Sequence, residues 1–312
     1  MRYNINFFLS FFLILLLNSF LYTYSQVNEN ISTFDSLQIS KQKKIKDEEI
    51  KENDYEYKMP TWHEMITNLP DDWVAYTRET FQTDKIPLYL AVSASTALLI
   101  LTDNKTYEYG RKLFHTNNFI HKASDIFTAI GDGRTQFGLA IGFAGYGLLF
   151  NNAKAVRVGS QIVEAVLASG AVVQVLKHIT GRQSPESRTS PRGIWRLFPN
   201  QIQYHKHVSA YDAFPSGHLT TTLATVFVIA ENYPNIWWIK PLGFTVSGLL
   251  AIGMVNRGIH WYSDYPLAIV FGYTFGKLIV NRDNEIIKGT KTLTFLPTII
   301  NKGYGIKLAY VF

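Results

Sequence analysis

The 312-residue chain contains no cysteine, which excludes disulfide frameworks, thiolate nucleophiles and cysteine-ligated zinc. It also lacks any group of carboxylates spaced to hold magnesium, so neither a metal nor another cofactor is expected. Charge is sparse: 17% of residues are charged against 47% hydrophobic, an apolar balance for a soluble protein. Yet the mean hydropathy is zero, low for a chain living mainly in lipid, so association with a membrane is expected rather than full immersion. The formal charge of +6 suits an anionic partner such as a phosphate ester or an acidic headgroup, and no nucleic-acid partner is expected. The length suffices for one large helical domain or two small ones.

What is present is ordered along the chain. Arg2 precedes an apolar run over residues 7–17, followed by Thr23, Tyr24, Ser25 and Gln26, the layout of a secretory signal over residues 1–25. The run is shorter than the ~20 residues that span a bilayer, which favours cleavage over an uncleaved anchor. Residues 26–60 mix Lys41, Lys43, Lys44, Lys46 and Lys51 with Asp47, Glu48, Glu49 and Glu52, and read as a solvated lead-in. Residues 62–81 predict an amphipathic helix. Six apolar stretches follow, at 87–101, 137–150, 156–176, 219–229, 237–255 and 266–280, each long enough for three helical turns. They predict an all-α fold, a six-helix bundle within a domain over residues 61–285. The polar segment 177–214 is the longest connection, where chemistry is expected. Residues 292–296 and 304–312 flank Asn301, Lys302 and Gly303, and predict a β-hairpin appendage over 290–312. A terminal Phe312 on an alternating strand is also an outer-membrane barrel feature, but one hairpin cannot close a barrel.

Three clusters stand at the edges of apolar stretches: Lys177 with His178 and Arg182, then Pro215, Ser216, Gly217 and His218, then His260 with Asp264. Helix ends on one face of a bundle can share a pocket. The Pro-Ser-Gly-His turn suits a helix N-terminus, where Gly217 lets backbone N–H groups approach an anion. It suits a plain helix cap as well. If residues 260–264 are helical, Asp264 can orient His260 for attack on phosphorus, although a histidine beside Trp261 can equally be a packed core residue. Lys177 and Arg182 would neutralise the non-bridging oxygens. His121, His205 and His207 lack a partner pattern; Arg188, Arg192 and Arg196 suit solvation or attraction of a substrate.

In order and spacing these residues resemble the type 2 phosphatidic acid phosphatase and vanadium haloperoxidase superfamily, whose signature runs K-x6-RP, PSGH and SR-x5-H-x3-D. The resemblance implies that His260 becomes a phosphohistidine, that Asp264 orients it and that His218 protonates the leaving group. It implies further that Lys177, Ser216 and Gly217 hold the phosphate. Ser184 and Met254 stand where the family has arginine. Arg182 and Arg257 lie close enough in sequence to be expected as replacements. The implied activity is metal-independent hydrolysis of a phosphate monoester or pyrophosphate, such as a lipid phosphate, lipid A, an isoprenoid pyrophosphate or a small soluble ester. A non-catalytic phosphate-headgroup binder and a vanadate-dependent haloperoxidase are the alternatives.

An exported, membrane-associated phosphatase with a periplasmic site is therefore expected, and it meets a conflict of parity. If every stretch spans, the chain crosses three times before Lys177 and leaves segment 177–214 in the cytoplasm, whether or not the leader is cleaved. At least one stretch is expected not to span. Arg157, Gln161, Glu164 and Gln174 lie in the third stretch, where a charge at the bilayer centre costs ~2.5–3.5 kcal/mol, so neighbours are expected to shield that helix.

Overall fold

A computed structural model describes the backbone of residues 59–287, 292–300 and 303–311, with side chains through Asp283. The expected signal over 1–25 and nearly all of the lead-in lie outside these residues. The body is helical: α1 Glu64–Thr67, α2 Leu69–Thr80, α3 Ile86–Thr116, α4 Asn118–Ile130, α5 Gly133–Leu149, α6 Ala153–Thr180, α7 Gln201–Lys206, α8 Gly217–Asn232, α9 Ile239–Arg257 and α10 Tyr265–Ile287. Strands β1 Thr292–Ile300 and β2 Gly303–Val311 pair antiparallel, with Ile300 opposite Gly303.

Side chains mark where the helices start. Asn117, Asp132, Asn152 and Ser216 each accept a hydrogen bond from a first-turn N–H, of α4, α5, α6 and α8 in turn. Pro70 and Pro87 occupy first turns, where a missing N–H removes no intrahelical bond.

Helix α6 runs through the middle of the core. Its Val158, Ile162, Ala165, Ala168 and Val173 pack with Ala140 of α5, Ala224 and Val228 of α8, and Phe271, Phe275 and Ile279 of α10. Helices α8 and α10 approach so closely that a Cβ on Gly272 would lie 2.6 Å from Leu223 Cβ, and one on Gly276 would lie 2.8 Å from Ala224 O.

Each of the six apolar stretches falls largely within one helix, but the helical body holds more than these. Helix α4 is polar enough to escape a search for apolar runs; its Ser124 accepts from Asn256 of α9 at 3.1 Å. Helix α3 continues fifteen residues past its apolar stretch, because Asp103, Tyr107, Gly110 and Phe114 are buried against the rest of the protein. The amphipathic segment over 62–81 is broken at Asn68 into α1 and α2. Three described segments are long and apolar enough to cross a membrane: Thr83–Thr116, Ala153–Thr180 and Ile239–Arg257.

The polar residues of α6 are shielded by neighbouring helices, with one exception. Arg157 pairs with Asp283 of α10 at 3.1 Å, and Gln161 donates to the same carboxylate at 2.8 Å. Glu164 meets Arg282 at 2.8 Å, whose other nitrogen lies 2.9 Å from Asp72 of α2. Gln174 is exposed. Arg282 thus stands between two carboxylates that are themselves withdrawn from water. Replacing it with methionine leaves both uncompensated, and breaking such a buried arrangement typically costs about 3–5 kcal/mol. Arg282→Met is expected to unfold at a markedly lower denaturant concentration than the wild type, while an exposed control, Lys240→Met, is expected to shift it little; equal midpoints would refute the assignment.

Candidate active site

The residues singled out in the sequence arrive from three helix ends. Helix α6 delivers Lys177 in its last turn before Gly181, at φ 51°, ends it. Helix α8 begins at Gly217, with Ser216 as its cap and His218 in its first turn. Gly258, at φ 80°, stops α9 and releases the segment that carries His260 and Asp264 into α10.

They converge. The rings of His218 and His260 are 6.0 Å apart in an edge-to-face arrangement. A methyl group on Gly217 would lie 3.8 Å from Lys177 Nζ. Ser216 N–H donates to the Asp264 carbonyl at 3.1 Å, tying the cap of α8 to the loop before α10. The first-turn N–H groups of α8 have no intrahelical acceptor, so with Lys177 beside them they form a concentrated positive corner.

The orientation of His260 differs from the sequence expectation. Residues 260 and 261 lie outside any helix, Trp261 extended, and a single 3-10 turn, Tyr262–Asp264, precedes α10, so the histidine and aspartate do not stack on one helical face. His260 Nδ1 lies 2.7 Å from the Ala213 carbonyl and 3.4 Å from Asp264 Oδ2. The shorter contact goes to a backbone carbonyl, and it places the proton on Nδ1. Nε2 is then the nitrogen with a lone pair for attack. Asp264 Oδ2 also accepts from Trp261 N–H at 2.7 Å, which bends the carboxylate back over its own turn.

His218 is the most perturbed member. Burial first, then the nearby His260 and Lys177, push its imidazole down to about 4 from an ordinary value near 6.5. Two carboxylates act against this. Asp132, at the start of α5, is held down to about 2 chiefly by its hydrogen bonds with Arg134, and Asp212 accepts from Lys177 at 2.7 Å.

Comparison with known proteins now bears on this geometry. Residues 159–287 match the PAP2 superfamily. Those residues carry the likeness to that superfamily. The PAP2 match contains every residue of the converging cluster except Asp132. Two lipid A 1-phosphatases are similar: that of Rhizobium etli is 28% identical over 171 residues, covering 51% of this chain and 69% of that protein. That of Rhizobium johnstonii is 31% identical over 144 residues, covering 44% of this chain and 55% of that protein. Among solved structures, the transmembrane PAP2 type phosphatidylglycerolphosphate phosphatase from Bacillus subtilis aligns with a TM-score of 0.46 and 14% identity, covering 66% of this chain and 98% of that one.

Of the PAP2 positions, Ser184 is buried with its N–H donating to the Ser209 carbonyl, and Met254 is fully buried. Neither expected replacement arginine is placed with the cluster as a free cation. Arg182 has no exposed surface, and its two terminal nitrogens go to Asp264, Ser263 and Asp103. Its side chain turns inward because Trp195 and Trp261 flank the guanidinium at 4.7 and 5.5 Å. Arg257, with Nε 3.4 Å from Asp125, is partly exposed on the α4 side of α9. Sequence reasoning missed Asp103, Asp132 and Asp212. Asp212 alone carried a signal, three residues before Pro215; the others come from helices distant in sequence.

The depressed His218 value gives a pH-dependent prediction. Above pH 6.5 both folded and unfolded chains hold it neutral; between 6.5 and about 4 only the unfolded chain takes up the proton, so stability falls as pH falls. The loss, at most about 3 kcal/mol, should be absent from His218→Asn. Thermal unfolding in detergent from pH 7 to 4 is expected to favour the variant increasingly over the wild type; parallel curves would show that His218 is not perturbed.

Proposed function

We propose that this PAP2 protein is a membrane-associated phosphoric ester hydrolase acting on a phosphorylated lipid, a lipid phosphate, lipid A or isoprenoid pyrophosphate, through a phosphohistidine and without a metal ion. One observation carries the reading: His260 with its Nδ1 committed, His218 at 6.0 Å and Lys177 beside Gly217 sit together at helix ends. The names of the two similar lipid A 1-phosphatases support the lipid substrate class.

In this mechanism the phosphate sits against the first turn of α8, with Lys177 released from Asp212 to meet its oxygens. His260 Nε2 attacks phosphorus in line, and the bond to the leaving oxygen breaks. His218 gives that oxygen its proton. The incoming phosphate raises the proton affinity of His218, offsetting the burial that keeps it neutral in the empty site. Water then attacks the phosphohistidine while His218 takes its proton, the N–P bond breaks, and inorganic phosphate leaves.

Phosphate release from dioleoyl phosphatidic acid in detergent micelles tests the reading. Wild-type protein is expected to turn over equally with and without a chelator, and His260→Ala to lose activity by at least about a thousandfold. His218→Ala should lose about a hundredfold or more on this alkyl ester but far less on 4-nitrophenyl phosphate, whose leaving group needs no proton. Binding without turnover would point to a headgroup-binding protein instead, and halide oxidation gained only with vanadate would point to a haloperoxidase.

A periplasmic site is part of the proposal, supported by the leader-like sequence. Helices α3, α6 and α9 all run toward the site, and α2 packs on the far ends of α6 and α10 through Arg282. Glu164 and Lys177 are thirteen residues apart on α6, about 20 Å along its axis. Residues 69–85 and the site therefore lie at opposite ends of the bundle, so export of the residues behind the leader and a periplasmic site together need a bundle that does not fully span. The cysteine-free chain allows a direct measurement: Arg188→Cys is expected to react with an impermeant thiol reagent on intact cells, and labelling of Gln82→Cys instead would place the site inside.

A further inference from the structure

The mechanism leaves a buried charge cluster unused. Asp103 of α3 has no exposed surface, and it lies outside residues 159–287. One of its oxygens accepts from Arg182 at 2.8 Å and from the Ser263 hydroxyl; the other accepts from Ser263 N–H at 3.3 Å. Arg182 donates its remaining terminal nitrogen to Asp264 and, at 2.6 Å, to Ser263. The order of contact is His260, Asp264, Arg182, Asp103.

We infer that Asp103 is a positioning residue for catalysis, acting through Arg182 to keep Asp264 oriented and the environment of His260 negative. The inference rests on His260 being the nucleophile. Phosphorylation of a neutral imidazole leaves positive charge on the ring, which a carboxylate on the Nδ1 side must balance. Asp264 alone cannot supply it, because Arg182 is in direct contact and cancels its charge. Two carboxylates around one guanidinium leave the cluster one unit negative. Asp103 thereby restores what Arg182 removes, and the hydrogen bonds through Ser263 hold all three groups in register. The same geometry explains why Arg182 does not serve as the missing phosphate anchor: both its terminal nitrogens are spent behind the nucleophile.

Around His260 the charged and titratable groups are Asp264, Arg182 and Asp103 on one side and His218, Lys177 and Asp212 on the other, with the Tyr265 ring 6.3 Å away. Asp103→Asn removes one negative charge from the first side only. With dioleoyl phosphatidic acid in micelles, kcat is expected to fall about tenfold to a hundredfold with KM and phosphate inhibition within about threefold of wild type. The acid limb of the kcat profile should move to lower pH, since one negative charge behind the nucleophile is gone. Ser263→Ala, a milder change, is expected to lower kcat severalfold at unchanged KM, and it serves if Asp103→Asn does not fold. Wild-type kcat and pH profile in whichever variant folds would overturn the inference, as would a loss confined to KM and phosphate inhibition. Activity surviving in His260→Ala would instead defeat the phosphatase reading beneath it.

Discussion

A guanidinium held between two buried carboxylates ties the active end of this protein together. Arg182 lies in the polar connection after α6, Asp264 in the loop before α10 and Asp103 midway along α3, so one side chain joins three segments that no backbone hydrogen-bond pattern of a helical bundle would hold. A charge so buried is tolerated only when paired, and here each terminal nitrogen meets a carboxylate while two indole rings flank the guanidinium. His260 takes its position from the same assembly, with its Nδ1 against Ala213 and its backbone neighbours capped by Asp264.

The far ends of α6 and α10 repeat the design with a different purpose. Arg282 and Arg157 meet Asp72, Glu164 and Asp283 there, beside the core residues Val158, Ile162 and Ile279. The buried charged residues of α6 thus fall into two groups, Arg157 and Glu164 in its first half and Lys177 in its last turn. Between them the helices approach through glycine and alanine contacts, and the apolar outer surfaces of α3, including Leu88, Leu90 and Leu98, remain exposed. That division suits a protein that rests in or on a membrane while gathering a polar cluster at one end.

Departures from the PAP2 signature acquire a physical meaning in this arrangement. With Ser184 and Met254 buried without charge, the positive corner consists of Lys177 and the start of α8, and Asp212 further restrains Lys177. In the proposed mechanism, phosphate binding therefore falls to backbone N–H groups and to the balance between one lysine and its carboxylate partner.

Much of this was legible in the chain itself. Apolar periodicity located the helical stretches, and the clusters holding Lys177, Ser216, Gly217, His218, His260 and Asp264 could be picked out at their edges, where the fold brings them together. Side-chain direction was not legible. Whether Arg182 faces a phosphate or a carboxylate depends on Asp103, seventy-nine residues earlier, and on two tryptophans that close off the outward path. Whether residues 260–264 are helical was not legible either, because Gly258 and the capping by Asp264 act locally, against a helical spacing that fits equally well. Local sequence determines which groups are available; only the packed helices decide which of them meet, since burial makes every buried charge choose a partner from wherever the fold brings one.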